Sequence, residues 1–563
     1  MRRATCLLTL LLTLAAPAPA DAAPRLATHG DLVAFFQAWR AFQKPRLVEG
    51  VPDYSVAAMA AQQRGLAGFQ ARLKELDPST WSIPQQVDYQ VVRAELAGLD
   101  FDLRVLRPWA NDPAFYATVS GDRSDQPARE GPQADGAVEL WSYHLPLSPA
   151  EAAELEAGLK RIPGLLTRAR ANLVGNGRDL WIHGVRALRA QAAELATLVT
   201  RLTPSAPASP GPGDAGPAPA PASLLDAARK AQAASEALVS WVEGRLPSKT
   251  GPSAIGVASY EWYLKHVQLV PSTWREEVAL MERELARAGT LLAMEEQRNR
   301  QLPALIPIAT AEEHDLKFPA AVTRYLAFLK DHDLLSLPPY LEPALREQLG
   351  RFSAQPREFF AEVDDRDPEV LRTHGYHWFD LARMAHQPHP DPIRRGPLLY
   401  NIFNTRTEGH ATAWEELMLQ AGMFDDRPRS RELVAILLAE RAARALGALK
   451  VISGEYTLEE AAAFASAHTP RGWLSLKGTL VREEQLLYLR QPGYGTCYLS
   501  GKIQLEKLLA TRREQLGEAF NFRKYMDALD AAGLIPASLL RWELTQQLPE
   551  EVKRMLADPE RPL

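Results

Sequence analysis

Histidine and carboxylate side chains are concentrated in one stretch of the sequence, between residues 369 and 422. Five of the 12 histidines of the chain lie there, interspersed with acidic residues. The stretch contains His374, His377, His386, His389 and His410, together with Asp380, Glu408, Glu415 and Glu416. Imidazole and carboxylate groups bind zinc and similar divalent ions, and they are also the usual general acids and bases. The stretch therefore predicts a site that binds a metal or transfers protons.

The second half of this stretch predicts a helix over residues 406–423, because it contains few helix breakers. Glu408 and Glu415 are seven positions apart, which is two helical turns, so both should point to one side. His410 lies about 200° round the axis from Glu408 and should face elsewhere. Two glutamates at this spacing are typical of a solvated charged face as well as of a site.

The first half of the stretch places His374, His377 and Asp380 at three-residue steps. On a helix these residues share one broad side, an arrangement that suits metal binding. A histidine pair on a wet helix surface has the same spacing. His386 and His389 are separated by proline and are more typical of a solvated loop.

The segment TEGHATAWEELMLQAG resembles the EGWALYxE block of a bacterial family, domain of unknown function 885, and the resemblance extends over most of the mature chain. Members of that family are mostly helical and often exported, and they carry a metallopeptidase-like HExxPGHHxQ block upstream. The resemblance matches His374 with the first histidine of that block, since His374 lies 34 positions before Glu408. It also matches Glu408 with the glutamate of EGW and Glu415 with the glutamate that closes the block.

The chain departs from the family pattern at five polar positions. Gly375 stands where the family has the glutamate of the HE pair, and Asp380 stands at the later histidine. Ala448 and Ile452 replace an aspartate and a histidine, and Met526 replaces a late histidine. These replacements indicate either a lost activity or a rebuilt site.

Three further polar residues each allow a functional and a structural interpretation. Arg406 and Arg444, the second of which fits a family arginine, are candidates to clamp a substrate carboxylate through a bidentate fork. Each arginine could equally form a structural ion pair with a nearby glutamate. Tyr498, from the RYxxxPGQxxxYxxG-like block, could donate to a developing oxyanion or be a buried tyrosine bound to the backbone.

Two functions remain open from the sequence. The first is an exported metal-dependent hydrolase, peptidase-like, with a rebuilt active site and zinc or another divalent metal. Its predicted metal ligands are His374, His377, Asp380 and Glu408, and its predicted catalytic residues are Glu415, Glu416, Tyr498 and Arg444. The alternative is a non-catalytic relative that uses the same cleft for binding. The retained histidines and acids favour the hydrolase, and the lost base favours the alternative.

Residues 1–23 predict a signal peptide, with Arg2 and Arg3 before an apolar core of Cys6 to Ala16. We therefore expect soluble export, to the periplasm or outside the cell, without a stable membrane anchor. The net charge is −5 and no basic run occurs, which argues against nucleic acid as a partner. The expected partner is a small-molecule or peptide substrate. Cleavage would leave Cys497 as the only cysteine, so no internal disulfide is possible.

Helical periodicity and repeated capping signals predict an all-α protein, with a single large multi-helix domain over residues 24–563. The family resemblance implies a metallopeptidase-like central cleft within it. Asp31 is the predicted cap of the first helix. The Pro/Ala/Gly-rich tract 203–222 predicts a disordered loop joining an antiparallel helix pair, and residues 108–147 should be irregular.

Overall fold

The computed structural model describes residues 27–128, 130–203 and 220–558. They form a mostly helical single large domain, which confirms the all-α prediction. The predicted signal peptide and most of the predicted disordered loop lie outside the described residues. None of the helices in the described ranges is both long and apolar enough to cross a bilayer.

The helices of the first half, with the loops between them, run from residue 29 to residue 331. They are α1 (His29–Phe42), α2 (Val56–Lys74), α3 (Ile83–Phe101), α4 (Pro108–Asn111), α5 (Pro149–Asn172), α6 (Arg178–Leu202), α7 (Ala222–Glu243), α8 (Val257–His266), α9 (Trp274–Arg298) and α10 (Ala311–Asp331).

The helices of the second half build most of the core. They are α11 (Leu341–Arg346), α12 (Phe359–Asp364), α13 (Pro368–His374), α14 (Tyr376–His386), α15 (Asn404–Gln420), α16 (Ser430–Ser453), α17 (Leu458–His468), α18 (Leu480–Arg490), α19 (Tyr494–Leu516), α20 (Phe522–Ala531), α21 (Ala537–Thr545) and α22 (Glu550–Ala557).

Strand pairing in the described residues forms two small two-stranded sheets and one isolated parallel bridge between Gly177 and Gly251. In the first, β1 (Leu47–Val48) pairs antiparallel with β2 (Val51–Pro52), with Val48 opposite Val51. In the second, β3 (Val119–Ser120) pairs parallel with β4 (Val138–Glu139), with Val119 opposite Val138. The second sheet lies in the region 108–147, which also contains the short helix α4 and two 3-10 helices, Pro113–Tyr116 and Leu140–Ser142. The rest of the region consists of turns and loops, as the composition predicts.

Helix α16 lies at the centre of the molecule, because almost every residue between Ser430 and Ile452 is buried. It packs against α9, α17 and α19, and α19 in turn packs along α15. Helix α15 is also buried on nearly all sides, from Asn404 to Leu419. A helix that is buried all round carries polar residues only where they have partners or a function. The polar residues of α15 therefore mark the candidate site.

The capping signals locate the helix starts closely. Ser148 closes a capping box with Glu151 at the start of α5, as predicted, and Thr457 does the same at the start of α17. At α1 the predicted cap is wrong, since the N-cap is Thr28 and Asp31, the third residue of the helix, is its partner in the capping box. The Asp31 carboxylate accepts a hydrogen bond from the Thr28 backbone at 2.9 Å, so the helix begins earlier than predicted.

The predicted antiparallel pairing of α6 and α7 is confirmed. The Trp181 ring, near the start of α6, lies 6.1 Å from the Trp241 ring, near the end of α7. Midway along the pair, Gln191 donates a hydrogen bond to the buried hydroxyl of Ser235 at 2.9 Å. The two helices therefore hold together through their own contacts.

Candidate metal centre

The candidate site lies where α13 and α14 face α15. His374 is the last residue of α13, His377 lies in the first turn of α14, and Glu408 lies in α15. Glu408 Oε2 is 3.2 Å from His377 Nε2 and 3.8 Å from His374 Nε2. Each of the three residues offers one ligand atom such that all three atoms lie within 4.8 Å of one another. The structure thus brings together three of the four predicted ligands.

The two histidines lie on separate helices, not on the single helix that their three-residue spacing predicts. Gly375 ends α13 and begins α14, with φ −60° and ψ 11°, so His374 and His377 do not lie on one continuous helix. Their rings meet edge to face, with centroids 5.0 Å apart. The change of axis at Gly375 turns both rings toward Glu408.

A close crossing of α15 and α19 positions Glu408. A Cβ atom added to Gly409 would lie 2.6 Å from the backbone of Gly501, and one added to Gly501 would lie 2.3 Å from the carbonyl oxygen of Thr405. Only two glycines permit this approach. It brings Tyr494 of α19 to Glu408, whose Oε1 accepts a short hydrogen bond of 2.5 Å from the tyrosine hydroxyl.

The other oxygen contacts of Glu408 fix its orientation. Gln126 Nε2 donates to Glu408 Oε1 at 2.9 Å, and Gln126 Oε1 accepts from the Thr407 hydroxyl at 3.0 Å. Both bonds to Glu408, from Gln126 and from Tyr494, reach Oε1, so Oε2 is left to face the histidines.

The histidines and the glutamate of the cluster stabilise one another's charged forms, although the site is buried. Burial raises the pKa of Glu408, but the neighbouring His377 and His374 outweigh it and lower the pKa to about 2. Burial lowers the pKa of His377, but the carboxylates of Asp125 and Glu408 outweigh it and raise the pKa to about 9. Without a metal, the cluster therefore holds a protonated histidine against an ionised glutamate.

Two buried atoms of the cluster have no hydrogen-bond partner in the described part of the chain. They are His377 Nε2 and Glu408 Oε2, which are close to each other but lack the alignment of a hydrogen bond. Two ligands of a tetrahedral zinc ion, each bonded at about 2.0–2.1 Å, lie about 3.3 Å apart. The distances of 3.2 and 3.8 Å from Glu408 Oε2 to the two histidines bracket that value. The residues therefore fit a zinc-like ion with two histidines and one glutamate as ligands.

Glu415 contacts His374 from the side opposite to the cluster. Its Oε1 lies 2.9 Å from His374 Nδ1, which leaves Nε2 toward Glu408. Both Glu415 oxygens also accept hydrogen bonds from Arg441 of α16, at 2.7 and 2.9 Å. Burial raises the pKa of Glu415, but Arg441 and His374 outweigh it and lower the pKa. In metal sites a carboxylate in this position fixes the tautomer and direction of a ligand histidine.

Asp380, the fourth predicted ligand, lies outside the cluster. Its two oxygens accept hydrogen bonds from Arg406 at 3.0 and 3.2 Å. Arg406 also donates to Asp530 at 3.1 Å and contacts His410 Nδ1 at 2.8 Å. Arg406 is thus the centre of a buried ion-pair group, which is the structural alternative left open by the sequence. His410 faces away from Glu408, as its angle on the helix predicts.

Glu416, one of the two predicted bases, is held by two cations away from the histidines. Arg287 donates to its two oxygens at 2.6 and 2.9 Å, and Lys502 Nζ lies 2.9 Å from Oε2. These contacts tie α15 to α9 and α19. Glu416 therefore occupies an ion pair between helices.

Arg444 and Tyr498 lie next to each other but are engaged with other groups. Arg444 pairs with Glu440 at 2.8 Å and with Glu484 at 2.6 Å. Its guanidinium carbon lies 5.4 Å from the centre of the Tyr498 ring. The Tyr498 ring in turn packs edge to face on Tyr494 at 5.7 Å. Tyr494, one turn earlier, is the tyrosine that reaches Glu408.

Three residues that contact the cluster were missed by the sequence reasoning. They are Gln126 and Tyr494, which bind Glu408, and Arg441, whose guanidinium nitrogen lies 3.2 Å from His374 Nδ1. Gln126 comes from the irregular region 108–147, where no periodic signal identifies it. Tyr494 and Arg441 lie one helical turn from the selected Tyr498 and Arg444. Each has the same residue type as the selected residue and lies about one turn from it, and this was the only signal in the sequence that could have identified it. Helix packing determined which member of each pair faces the site.

Comparison with known proteins gives a family and a fold. A family model described as "Bacterial protein of unknown function (DUF885)" matches residues 45–375. A "putative lipoprotein of unknown function" from Shewanella oneidensis has a similar structure, with a TM-score of 0.62 and 14% identity, over 92% of this chain and 98% of that chain. A "putative lipoprotein" from Colwellia psychrerythraea matches with a TM-score of 0.62 and 15% identity, over 92% and 99% of the two chains. Among curated proteins, none matches the sequence.

Proposed function

Since the chain belongs to the bacterial family of unknown function DUF885, whose description assigns no activity, we propose a function from the chemistry of the site itself. The proposed function is a metal-dependent hydrolase, peptidase-like, with a rebuilt active site. His374, His377 and Glu408 would hold a divalent metal such as zinc. Glu415 would orient His374 rather than act as the base.

One observation carries this proposal: His374, His377 and Glu408 each offer one ligand atom, and the three atoms lie within 4.8 Å of one another. Without a metal, His377 Nε2 and Glu408 Oε2 form an ion pair at 3.2 Å that lacks the alignment of a hydrogen bond. A shared metal ion would satisfy both atoms. When bound, such an ion lowers the pKa of a bound water and polarises a carbonyl group, which is the chemistry of hydrolysis.

We further propose that the protein is exported. The N-terminal sequence has the pattern of a signal peptide, and the two structural neighbours are each described as a "putative lipoprotein". The proposed substrate is a peptide or another small molecule, and the net charge of −5 gives no support for nucleic acid.

The alternative function is a non-catalytic relative that binds ligands in the same cleft. A specific observation favours it: both glutamates expected to act as a base are tied in ion pairs. Glu415 is bound by Arg441, and Glu416 by Arg287 and Lys502. Gly375 has no side chain to replace either of them.

A zinc-binding measurement followed by a peptide-cleavage assay distinguishes the two proposed functions. Purified protein stripped with a chelator would be titrated with zinc, and the wild type compared with His377→Ala. The matched control is His386→Ala, which removes an exposed histidine at the end of the same helix. We expect zinc to bind the wild type and the control, and to bind His377→Ala far more weakly.

The zinc-loaded protein would then be incubated with a mixed peptide library and the products identified by mass spectrometry. Cleavage that disappears in His377→Ala supports the hydrolase. Zinc binding without cleavage of any peptide supports the non-catalytic alternative. A wild type that binds no divalent metal overturns the hydrolase.

A further inference from the structure

A single tyrosine hydroxyl links Glu408 to a second glutamate. The Tyr494 oxygen lies 2.5 Å from Glu408 Oε1 and 3.0 Å from Glu130 Oε1. A phenol has one hydrogen, so it can donate to only one of two ionised carboxylates. The second contact is a hydrogen bond only if that carboxyl group carries a proton of its own and donates it to the phenol oxygen.

The surroundings decide which carboxyl group holds this extra proton. Glu408 faces His377 and accepts a further hydrogen bond from Gln126, so it is stabilised as the anion. Glu130 faces acidic groups on several elements: Asp125 on its own loop, Glu408 on α15, Glu484 on α18 and the Tyr494 hydroxyl on α19. The proton therefore belongs to Glu130.

The position of Glu130 makes it an exchange point with solvent. Residue Glu130 is exposed, while its carboxyl group is partly desolvated beside the Tyr494 hydroxyl. This desolvation, together with Asp125 and Glu408, raises its pKa above the usual range for a glutamate. Ser124 donates a weak hydrogen bond of 3.3 Å to its other oxygen.

We propose that Tyr494 and Glu130 form a proton relay for the candidate metal centre, replacing the glutamate that the chain lacks at Gly375. The inference rests on the proposed hydrolase function. Glu130 acts through Tyr494, so it is a positioning and proton-holding residue and does not touch the substrate. The relay uses a residue of the irregular region 108–147, which the sequence reasoning did not connect with the site.

The relay balances the protons of peptide hydrolysis. As the water oxygen bonds to the carbonyl carbon, one O–H bond of the water breaks and its proton passes to the Tyr494 oxygen. The Tyr494 hydroxyl turns its own hydrogen from Glu408 to the ionised carboxylate of Glu130 and passes that proton to it at the same time. The reverse transfer returns a proton to the nitrogen as the C–N bond breaks. Glu130 must therefore be ionised at the start, and activity should rise as the pH passes its raised pKa.

Two variants test the relay by activity. Glu130→Gln keeps the size of the side chain but cannot accept a proton, and Tyr494→Phe removes the hydroxyl that transfers it. For the zinc-loaded enzyme we expect kcat to fall by about 10²-fold or more in each, while KM stays within about threefold. The acid limb of the pH profile should vanish in Glu130→Gln and persist in the control Glu347→Gln, an exposed glutamate on α11's C-terminal side. A Glu130→Gln variant with the wild-type acid limb overturns the relay.

A stability measurement on metal-free protein tests the proton holder without reference to activity. A carboxyl group with a raised pKa stabilises the fold below its ordinary pKa, and this contribution is lost as the pH rises through the raised value. The denaturation midpoint of the wild type should therefore fall relative to Glu130→Gln with rising pH. Parallel curves overturn the relay. Divergent curves in a wild type that hydrolyses no peptide support Glu130 as the proton holder and count against the proposed hydrolase alone.

Discussion

The contacts of Glu415 predict two separable effects of one substitution. Glu415 and Arg441 are buried, with side-chain exposures of 0% and 1%, and are joined by two hydrogen bonds. Glu415 also lies 2.9 Å from His374 Nδ1. One partner makes Glu415 part of a buried ion pair, and the other makes it the orienting group of a candidate ligand.

The ion pair determines the expected effect on stability. Glu415→Leu leaves the Arg441 guanidinium buried without its anion, which costs roughly 3–5 kcal/mol of unfolding free energy. The double variant Glu415→Leu, Arg441→Met removes both charges, and well-packed apolar replacements of a buried pair are about neutral. We therefore expect the double variant to regain most of the lost stability.

The contact with His374 determines the expected effect on metal binding. Loss of an orienting partner lowers metal affinity by about 10–100-fold, equivalent to roughly 1.4–2.7 kcal/mol. The double variant still lacks the acceptor for His374 Nδ1, and it also loses the Arg441 guanidinium, which lies 3.2 Å from that nitrogen. Its zinc affinity should therefore stay low while its stability recovers.

Urea denaturation and competitive zinc titration measure the two effects on the same samples. Glu416→Leu is a matched control, since it breaks an adjacent ion pair, with Arg287 and Lys502, that does not reach the histidines. It should lose stability and keep its zinc affinity. If the double variant regains zinc affinity together with stability, Glu415 acts only through the fold and its orienting role is refuted.

Three further predictions follow from single contacts. Gly409→Ala should weaken zinc binding and lower stability, because its Cβ would lie 2.6 Å from the Gly501 backbone. The control Gly68→Ala has open space around it and should gain up to about 1 kcal/mol of stability. Burial raises the pKa of Glu277 to about 7 from 4.5. The protonated form stabilises the fold below about pH 4.5, and this contribution is lost as the pH rises through the raised pKa. Between pH 4 and pH 8 the unfolding free energy of the wild type should therefore fall by up to about 3 kcal/mol relative to Glu277→Gln, as measured by denaturant titration. Zinc affinity by calorimetry should rise with pH up to about 9, since a ligand histidine must be neutral and His377 holds its proton to about that pH; a pH-independent affinity would show that His377 is not a ligand.

Much of the helical architecture could be predicted from the sequence, because helix starts depend on local chemistry. Ser148 and Thr457 cap their helices through side chains three residues away. Even the error at Asp31 was a shift within one capping box, since Thr28 and Asp31 are both members of it. The family resemblance likewise follows from sequence order and spacing alone.

The sequence by itself also indicated the chemical types at the candidate site, histidine and carboxylate, and their approximate place in the chain, although it counted Asp380 among the ligands. It did not determine which side chains meet. Residues three or four positions apart share a helix side, so spacing cannot separate Tyr494 from Tyr498. That choice depends on where neighbouring helices cross.

Only the tertiary structure decided these contacts. The axis change at Gly375 sends His377 to Glu408, while Asp380 pairs with Arg406. The crossing at Gly409 brings α19, and with it Tyr494, against the same glutamate. Such contacts join residues far apart in the chain, and their geometry follows from how whole helix surfaces pack. Local spacing carries no record of that packing, which is why the candidate metal centre became specific only in three dimensions.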